Sequence, residues 1–196
     1  MVDFGGKSVA VVGSSNHLLQ RDYATLIDGC DYVLRFNQAR VVGYEDYVGH
    51  RTTHRIISIH NFLGAADKKN FSEYDESFFS RLEDQKLILR EPMEWFRANA
   101  AVRNLKCPVT CLPKALNIKA DKCIGASATT GFLGILAAMN SSDQVSVLGF
   151  DLEPTSKLRL PHYWETVTGG FPCHKFSVER EAIKRFEAEG KLRAHI

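Results

Sequence analysis

The stretch from Val9 to Arg55 constrains the fold most. A short apolar run, Val9 to Val12, leads into Gly13-Ser14-Ser15-Asn16, then a helical pattern from Leu18 to Ile27 and a second apolar run from Asp31 to Arg35. The first run is too short for a helix and rich in β-branched residues, so it reads as a buried strand. Strand, small-residue turn, helix and strand form a βαβ unit, the seed of a mostly parallel α/β sheet. The small residues free several backbone N–H groups, and the following helix would offer a phosphate its N-terminus. Ligands of open α/β sheets sit beyond the carboxyl ends of the strands, so Ser14, Asn16 and Asn37 are expected to face one crevice.

Spacing alone also allows an ordinary βαβ unit with no ligand. G-S-S-N lacks both the G-x-G-x-x-G dinucleotide fingerprint and the G-x-x-x-x-G-K-[ST] phosphate loop, and the missing glycine fingerprint argues against a generic NAD or SAM protein.

Further along, Gly43 to Arg55 is turn-rich and enters a third strand at His54 to Ile59, with Asp46 and Arg51 expected to pair across the turn. His50, His54 and His60 have no partner carboxylate in reach by sequence and read as surface or satisfied core histidines. Residues 61–80 read as a loop with a short helix. A fourth strand is expected at Lys86 to Leu89, and a helix from Glu91 to Leu105 after the Pro92 start signal. Residues 107–122 contain two prolines and no clear period, and read as an extended connector. Ser127 to Gly131 precedes a Leu- and Ala-rich helix at Phe132 to Met139, where serine and threonine are expected to cap. A strand at Asp143 to Phe150 follows. Near the C-terminus, an amphipathic helix shares Val178, Ile183 and Phe186 on one face.

At 196 residues the chain is expected to form a single domain, residues 1–196, with a proper core. A net charge of +2 with no basic stripe gives no case for nucleic acid. No run approaches the ~20 apolar residues that a spanning helix needs. The first strand starts within eight residues of Met1, so no leader or anchor is expected. The five cysteines (Cys30, Cys107, Cys111, Cys123, Cys173) include no C-x-x-C. Cys107 with Cys111, or Cys173 beside His174, are the only hints of zinc; buried thiols are the default expectation.

Four motifs in order carry a resemblance. A-V-V-G, R-F-N-Q-A, D-Y-V-G and R-T-T-H between Val9 and Arg55 are similar to the large sialyl motif. A-T-T-G-F-L-G-I through D-Q-V-S-V-L-G-F is similar to the small one. Pro161-His162-Tyr163-Trp164-Glu165 looks like the third motif, H-Y-x-E, and His174 with Glu179 fits the very small motif, H-x-x-x-x-E. The chain thus resembles glycosyltransferase family 29, the eukaryotic-type sialyltransferases and their Kdo-transferring relatives, with residues 60–122 unmatched.

The resemblance implies a Rossmann-like, GT-A-like domain that moves sialic acid or Kdo from a CMP-sugar to a glycan or glycolipid hydroxyl, inverting the anomeric carbon without metal or other cofactor. It implies donor contacts at Gly13, Ser14, Ser15, Asn16, Asn37, Thr129, Thr130, Gly131, Gly149 and Phe150, the Ser/Thr turn receiving the sugar's carboxylate. His174, just before a helix, takes the role of base for the acceptor hydroxyl. His162 takes that of hydrogen-bond donor to the departing phosphate. Tyr163 and Glu179 are supporting residues, Glu179 complementing the helix dipole or orienting a neighbour. Asp151-Leu152-Glu153 is the nearest mimic of a metal-binding D-x-D, and a donor with one phosphate can dispense with one.

Several positions depart from the family pattern. Val9 and Ser142 stand where the family carries a disulfide pair, leaving the two large motifs joined by packing alone. Their joint replacement suits a reducing compartment. A cytoplasmic protein is therefore expected, unless the chain is a trimmed Golgi protein. Ser14 replaces a common asparagine, with Asn16 a possible substitute, and Arg40 replaces a proline. The competing reading is a module of the same fold that binds CMP and has lost transfer.

Overall fold

The computed structural model describes residues 2–59, 82, 84–94, 106–151, 162–164 and 174–195. Seven strands form one sheet: β1 (Val9–Val12), β2 (Tyr32–Phe36), β3 (His54–Ile57), β4 (Lys86–Leu89), β5 (Val109–Cys111), β6 (Val145–Leu148) and β7 (Arg193–His195). Their order is β5-β4-β3-β2-β1-β6-β7, and every pairing is parallel. From β1 to β5 the chain winds outward in one direction. It then returns to lay β6 on the other side of β1, so the topological switch lies between β1 and β6.

The alternation along β1 explains the layers. Val9 and Val11 join the cluster formed with α3 (Lys114–Ile124), α4 (Thr130–Met139) and α5 (Phe176–Ala188). Ala10 and Val12 join the opposite cluster, with Leu18, Ile27 of α1 (Ala24–Gly29) and Val48 of α2 (Glu45–Val48). With a period of two, one short apolar strand supplies both faces of the sheet. Helix α4 is apolar nearly all round because it is enclosed: it packs on β1, β2, β3 and β6, with α3 beside it.

Several elements depart from the expected ones. The helix expected from Leu18 to Ile27 is two pieces, a 3₁₀ turn at Asn16–Gln20 and then α1. Asp22 accepts the Ala24 N–H at 3.0 Å, restarting the helix after a break. The five-residue turn aligns too few peptide dipoles to serve as the phosphate-binding helix expected there. Residues 107–122 are no extended connector, since they contain β5 and most of α3. The third strand ends at Ile57, two residues short of the expected Ile59. Val178 is 36% exposed and does not share the buried face of α5, which is made by Glu179, Ala182, Ile183 and Phe186.

Arg51 does not pair with Asp46. Its guanidinium donates to the carbonyls of Asp28, Cys30 and Asp31. The Asp28 carboxylate instead accepts the backbone N–H groups of His50 and Arg51. His50 lies exposed beside Asp28, and His54 is buried. None of the four described cysteines forms a disulfide, and Cys107 alone among them is fully buried. His60, Cys173, Glu165, residues 61–80 and most of the helix expected at Glu91 to Leu105 lie outside the described residues.

Candidate functional site

The carboxyl ends of β1, β2, β3 and β6 converge beside the first turn of α4. Gly13 N–H donates to Leu148 O at 2.7 Å and Ser15 N–H to Gly149 O at 2.8 Å, zipping the first loop onto the end of β6. Gly149 has φ +69, and a methyl at Gly13 would collide with its carbonyl. Both positions need glycine for this contact. The Ser15 hydroxyl accepts His17 N–H at 3.3 Å, a local cap. Ser14 and Asn16 stay partly exposed at the rim.

Asn37, at the end of β2, has φ 45, a left-handed conformation that asparagine tolerates. Its N–H donates to Ile56 O, and its side-chain oxygen accepts Ser58 N–H at 3.1 Å. Its amide NH2 is then the end left to offer a ligand. Arg55, buried, donates to the carbonyls of Asn37 and Ala39 and fixes this turn from below. Arg35 is fully buried and donates to carbonyls of Val48, Gly49 and Arg51; burial lowers its pKa to about 10.

The phenyl ring of Phe150 ties the two halves together. A methyl at Gly131 would lie 2.8 Å from that ring, and one at Gly13 3.0 Å from it. Phe36 meets it edge-on at 6.2 Å. The position is therefore first a wedge between the two small-residue turns, Gly13 to Asn16 and Ser127 to Gly131.

Thr129, expected among the donor contacts, has its polar groups engaged within the protein. Its N–H and hydroxyl donate to the two oxygens of Glu179 at 2.6 and 2.7 Å, and its hydroxyl accepts Phe132 N–H at 3.0 Å. Glu179 is 5% exposed, so its side chain acts by fixing the α4 cap. Burial raises the Glu179 pKa, opposed by the two Thr129 hydrogen bonds and by His174 and Arg90. Thr130, one step further on, is buried and its hydroxyl accepts from Arg90, while Gly131 lies half-buried against the Phe150 ring.

The two histidines are held by different edges of this crevice. The Tyr163 N–H donates to Ser14 O at 2.9 Å, and its hydroxyl donates to Arg40 O. The Tyr163 ring packs edge-on against Tyr44. Burial is the main cause that pushes its phenol pKa up to about 12, so it remains a donor. His162 is thereby held next to the first turn, stacked on Trp164 at 4.6 Å. His174 Nδ1 lies 3.0 Å from Ser127 O, beside the second turn. A carbonyl only accepts, so Nδ1 carries the hydrogen, and in the neutral ring the lone pair falls on Nε2.

One polar residue at this rim was missed in the sequence. Arg90, directly after β4, donates to Ala128 O at 3.0 Å and Thr130 Oγ1 at 3.3 Å. The available signal was a cation directly after the buried run Leu87 to Leu89, in a region without motifs. Among the described residues, no three His, Cys, Asp or Glu side chains converge as a metal site, and no helix is long and apolar enough to cross a membrane.

Several known proteins resemble this chain in sequence and fold. The chicken CMP-N-acetylneuraminate-beta-galactosamide-alpha-2,3-sialyltransferase 1 is 27% identical over 184 residues, 83% of this chain and 48% of that protein. Sialyltransferase-like protein 2 of Arabidopsis thaliana is 28% identical over 189 residues, 95% of this chain and 38% of that protein. The chain thus spans about half the length, or less, of these curated relatives. A crystal structure of a mammalian sialyltransferase shares the fold at TM-score 0.71 and 22% identity, covering 96% of this chain and 68% of that one. A second, in complex with Gal-beta-1-3GalNAc-ortho-nitrophenol, aligns at TM-score 0.69. The profile of glycosyltransferase family 29 (sialyltransferase) matches residues 5–98 and 112–191. With so much of its length matched, the chain belongs to glycosyltransferase family 29.

Proposed function

We propose that this chain transfers sialic acid, or a related ulosonic acid such as Kdo, from its CMP-activated form to a glycan or glycolipid hydroxyl. The transfer inverts the anomeric carbon and uses no metal. The observation that carries this reading is the pair of anchors on one crevice: Tyr163 N–H on Ser14 O, and His174 Nδ1 on Ser127 O. They hold one imidazole segment beside each small-residue turn.

In this reaction the acceptor oxygen attacks the anomeric carbon and gives its proton to His174 Nε2. The bond from that carbon to the phosphate oxygen breaks, and CMP leaves from the opposite face. His162 stabilises the charge gathering on the phosphate. The turn Gly13, Ser14, Ser15, Asn16, with Asn37, Gly149 and Phe150, takes the nucleotide; Thr130 and Gly131 take the sugar, with Thr129 fixing their position. One phosphate carries less charge than a diphosphate and asks for fewer donors to hold it. The relatives' names and the solved disaccharide complex make a terminal galactose the first acceptor to try. Val9 and Ser142, in place of the family's cysteines, suit a reducing compartment.

The test is CMP release from CMP-Neu5Ac and from CMP-Kdo, with and without a galactose-terminated acceptor. His174→Ala is expected to lower acceptor-dependent release by about 10²- to 10⁴-fold, the usual contribution of a general base. EDTA is expected to leave the rate unchanged. CMP binding by calorimetry without consumption of either donor would instead support a binding module that has lost transfer.

A further inference from the structure

We propose that Arg90 reads the carboxylate of the donor sugar and so selects an ulosonic acid over a neutral sugar. The inference rests on the reaction proposed above. The guanidinium crosses from the end of β4 to the turn ahead of α4, donating to Ala128 O at 3.0 Å, Thr130 Oγ1 at 3.3 Å and Ser127 Oγ at 3.5 Å. Its Nε lies 3.5 Å from Glu91 Oε1, whose other oxygen accepts Ile59 N–H. The side chain keeps 15% of its surface exposed. A guanidinium carries five N–H donors, and these contacts use three of them in hydrogen bonds. A cation beside a helix N-terminus opposes the helix dipole; Glu91 offsets part of that charge from the Nε side, and a second anion on the crevice side stabilises the position further.

The chemistry of the donor decides which anion. Its carboxylate sits on the anomeric carbon, the atom attacked on the side where the base works. His174 and Arg90 share one anchor residue: His174 Nδ1 contacts Ser127 O and Arg90 contacts Ser127 Oγ. The phosphate departs the other way, toward His162 and Ser14. Arg90 therefore meets the carboxylate and not the phosphate. A planar guanidinium matches a carboxylate in a two-pronged geometry that a lysine ammonium does not reproduce.

The experiment compares kcat/KM for the CMP-sugar and for its carboxylate methyl ester in wild type, Arg90→Met and Arg90→Lys, with CMP as competitive inhibitor and the melting temperature as a control. Wild type is expected to prefer the free carboxylate by about 10- to 100-fold, the range of one charge-assisted hydrogen-bonded contact. In R90M that preference falls to within about threefold, R90K recovers part of it, and the CMP inhibition constant stays within about twofold. Equal loss on both donors with a lowered melting temperature would make Arg90 a clamp between β4 and α4 and overturn the proposal. A rise in the CMP constant matching the loss would assign it to the phosphate, also against it. If wild type turns over the donor and R90M keeps the full preference, only the role of Arg90 fails. If wild type releases no CMP from either donor, the proposed reaction fails, and this role with it.

Discussion

Glu179 joins two parts of the site with one side chain: both oxygens are spent on Thr129, from a position almost out of reach of solvent. Glu179→Gln would set an amide NH2 against one of those donors. A loss of about 1–3 kcal/mol is expected from a buried donor left without its acceptor, measurable by urea denaturation, together with slower CMP release as the turn carrying Thr130 and Ser127 loosens. His54 reports the surroundings of the core. It touches Phe4 and Tyr32 edge-on, and burial, with Lys86 adding to it, lowers its pKa from 6.5 to about 4. The ring is neutral in the fold and gains a proton near pH 6.5 in the unfolded chain. Its contribution is therefore complete above pH 6.5 and is lost as the pH falls toward 4, by up to about 3 kcal/mol. His54→Phe is expected to flatten the fall in melting temperature over that window; an unchanged slope would assign the acid sensitivity to other groups. At this scale the sequence showed which residue types gather in the crevice but not how their hydrogen bonds divide. Thr129 and Thr130 are adjacent in A-T-T-G, yet one is spent on Glu179 and the other faces Arg90, a division set by a helix 50 residues away.

Between elements, close approach is the rule. A methyl at Gly134 would run into the Phe36 ring, because α4 lies directly on the end of β2. Gly134→Ala should thus destabilise the protein, although alanine is the better helix former by about 1 kcal/mol. Adding Phe36→Leu should return part of the loss, a coupling that denaturation of the single and double variants would expose. The strands β1 to β4 and β6 were readable as short, largely apolar and buried runs; β5 and β7, three residues each with no fully buried position, were not. Nor was helix α3. Its buried stripe is only Leu116, Ala120 and Ile124, set among lysines and an exposed Ile118. The better signal lay at its ends: Pro113 at the start and Gly125, left-handed with φ 65, at the stop. The break between Gln20 and Ala24 was equally legible in Asp22, a residue that restarts helices.

Across the whole molecule, β1 and β6 bring together the first and penultimate parts of the chain, which carry most of the proposed nucleotide contacts. The expectation that packing alone joins these parts is too spare. Ser142 Oγ donates to Lys7 O at 2.7 Å, Gly6 N–H to Ser141 O at 2.9 Å, Val9 N–H to Gln144 O at 2.9 Å and Gln144 Nε2 to Gly6 O at 3.2 Å. Ser142→Ala should cost about 1 kcal/mol, the net value of such a bond, read from the denaturation midpoint. CMP at a hundredfold excess over its dissociation constant should raise the stability by about 2.7 kcal/mol, and NAD should not. The polar seam at residue 142 also has a practical side: unlike a sulfur bridge, it asks nothing of the surrounding thiol chemistry. Denaturation midpoints recorded with and without dithiothreitol should coincide, and chains unfolded in strong reductant should regain their nucleotide pocket with no oxidation step.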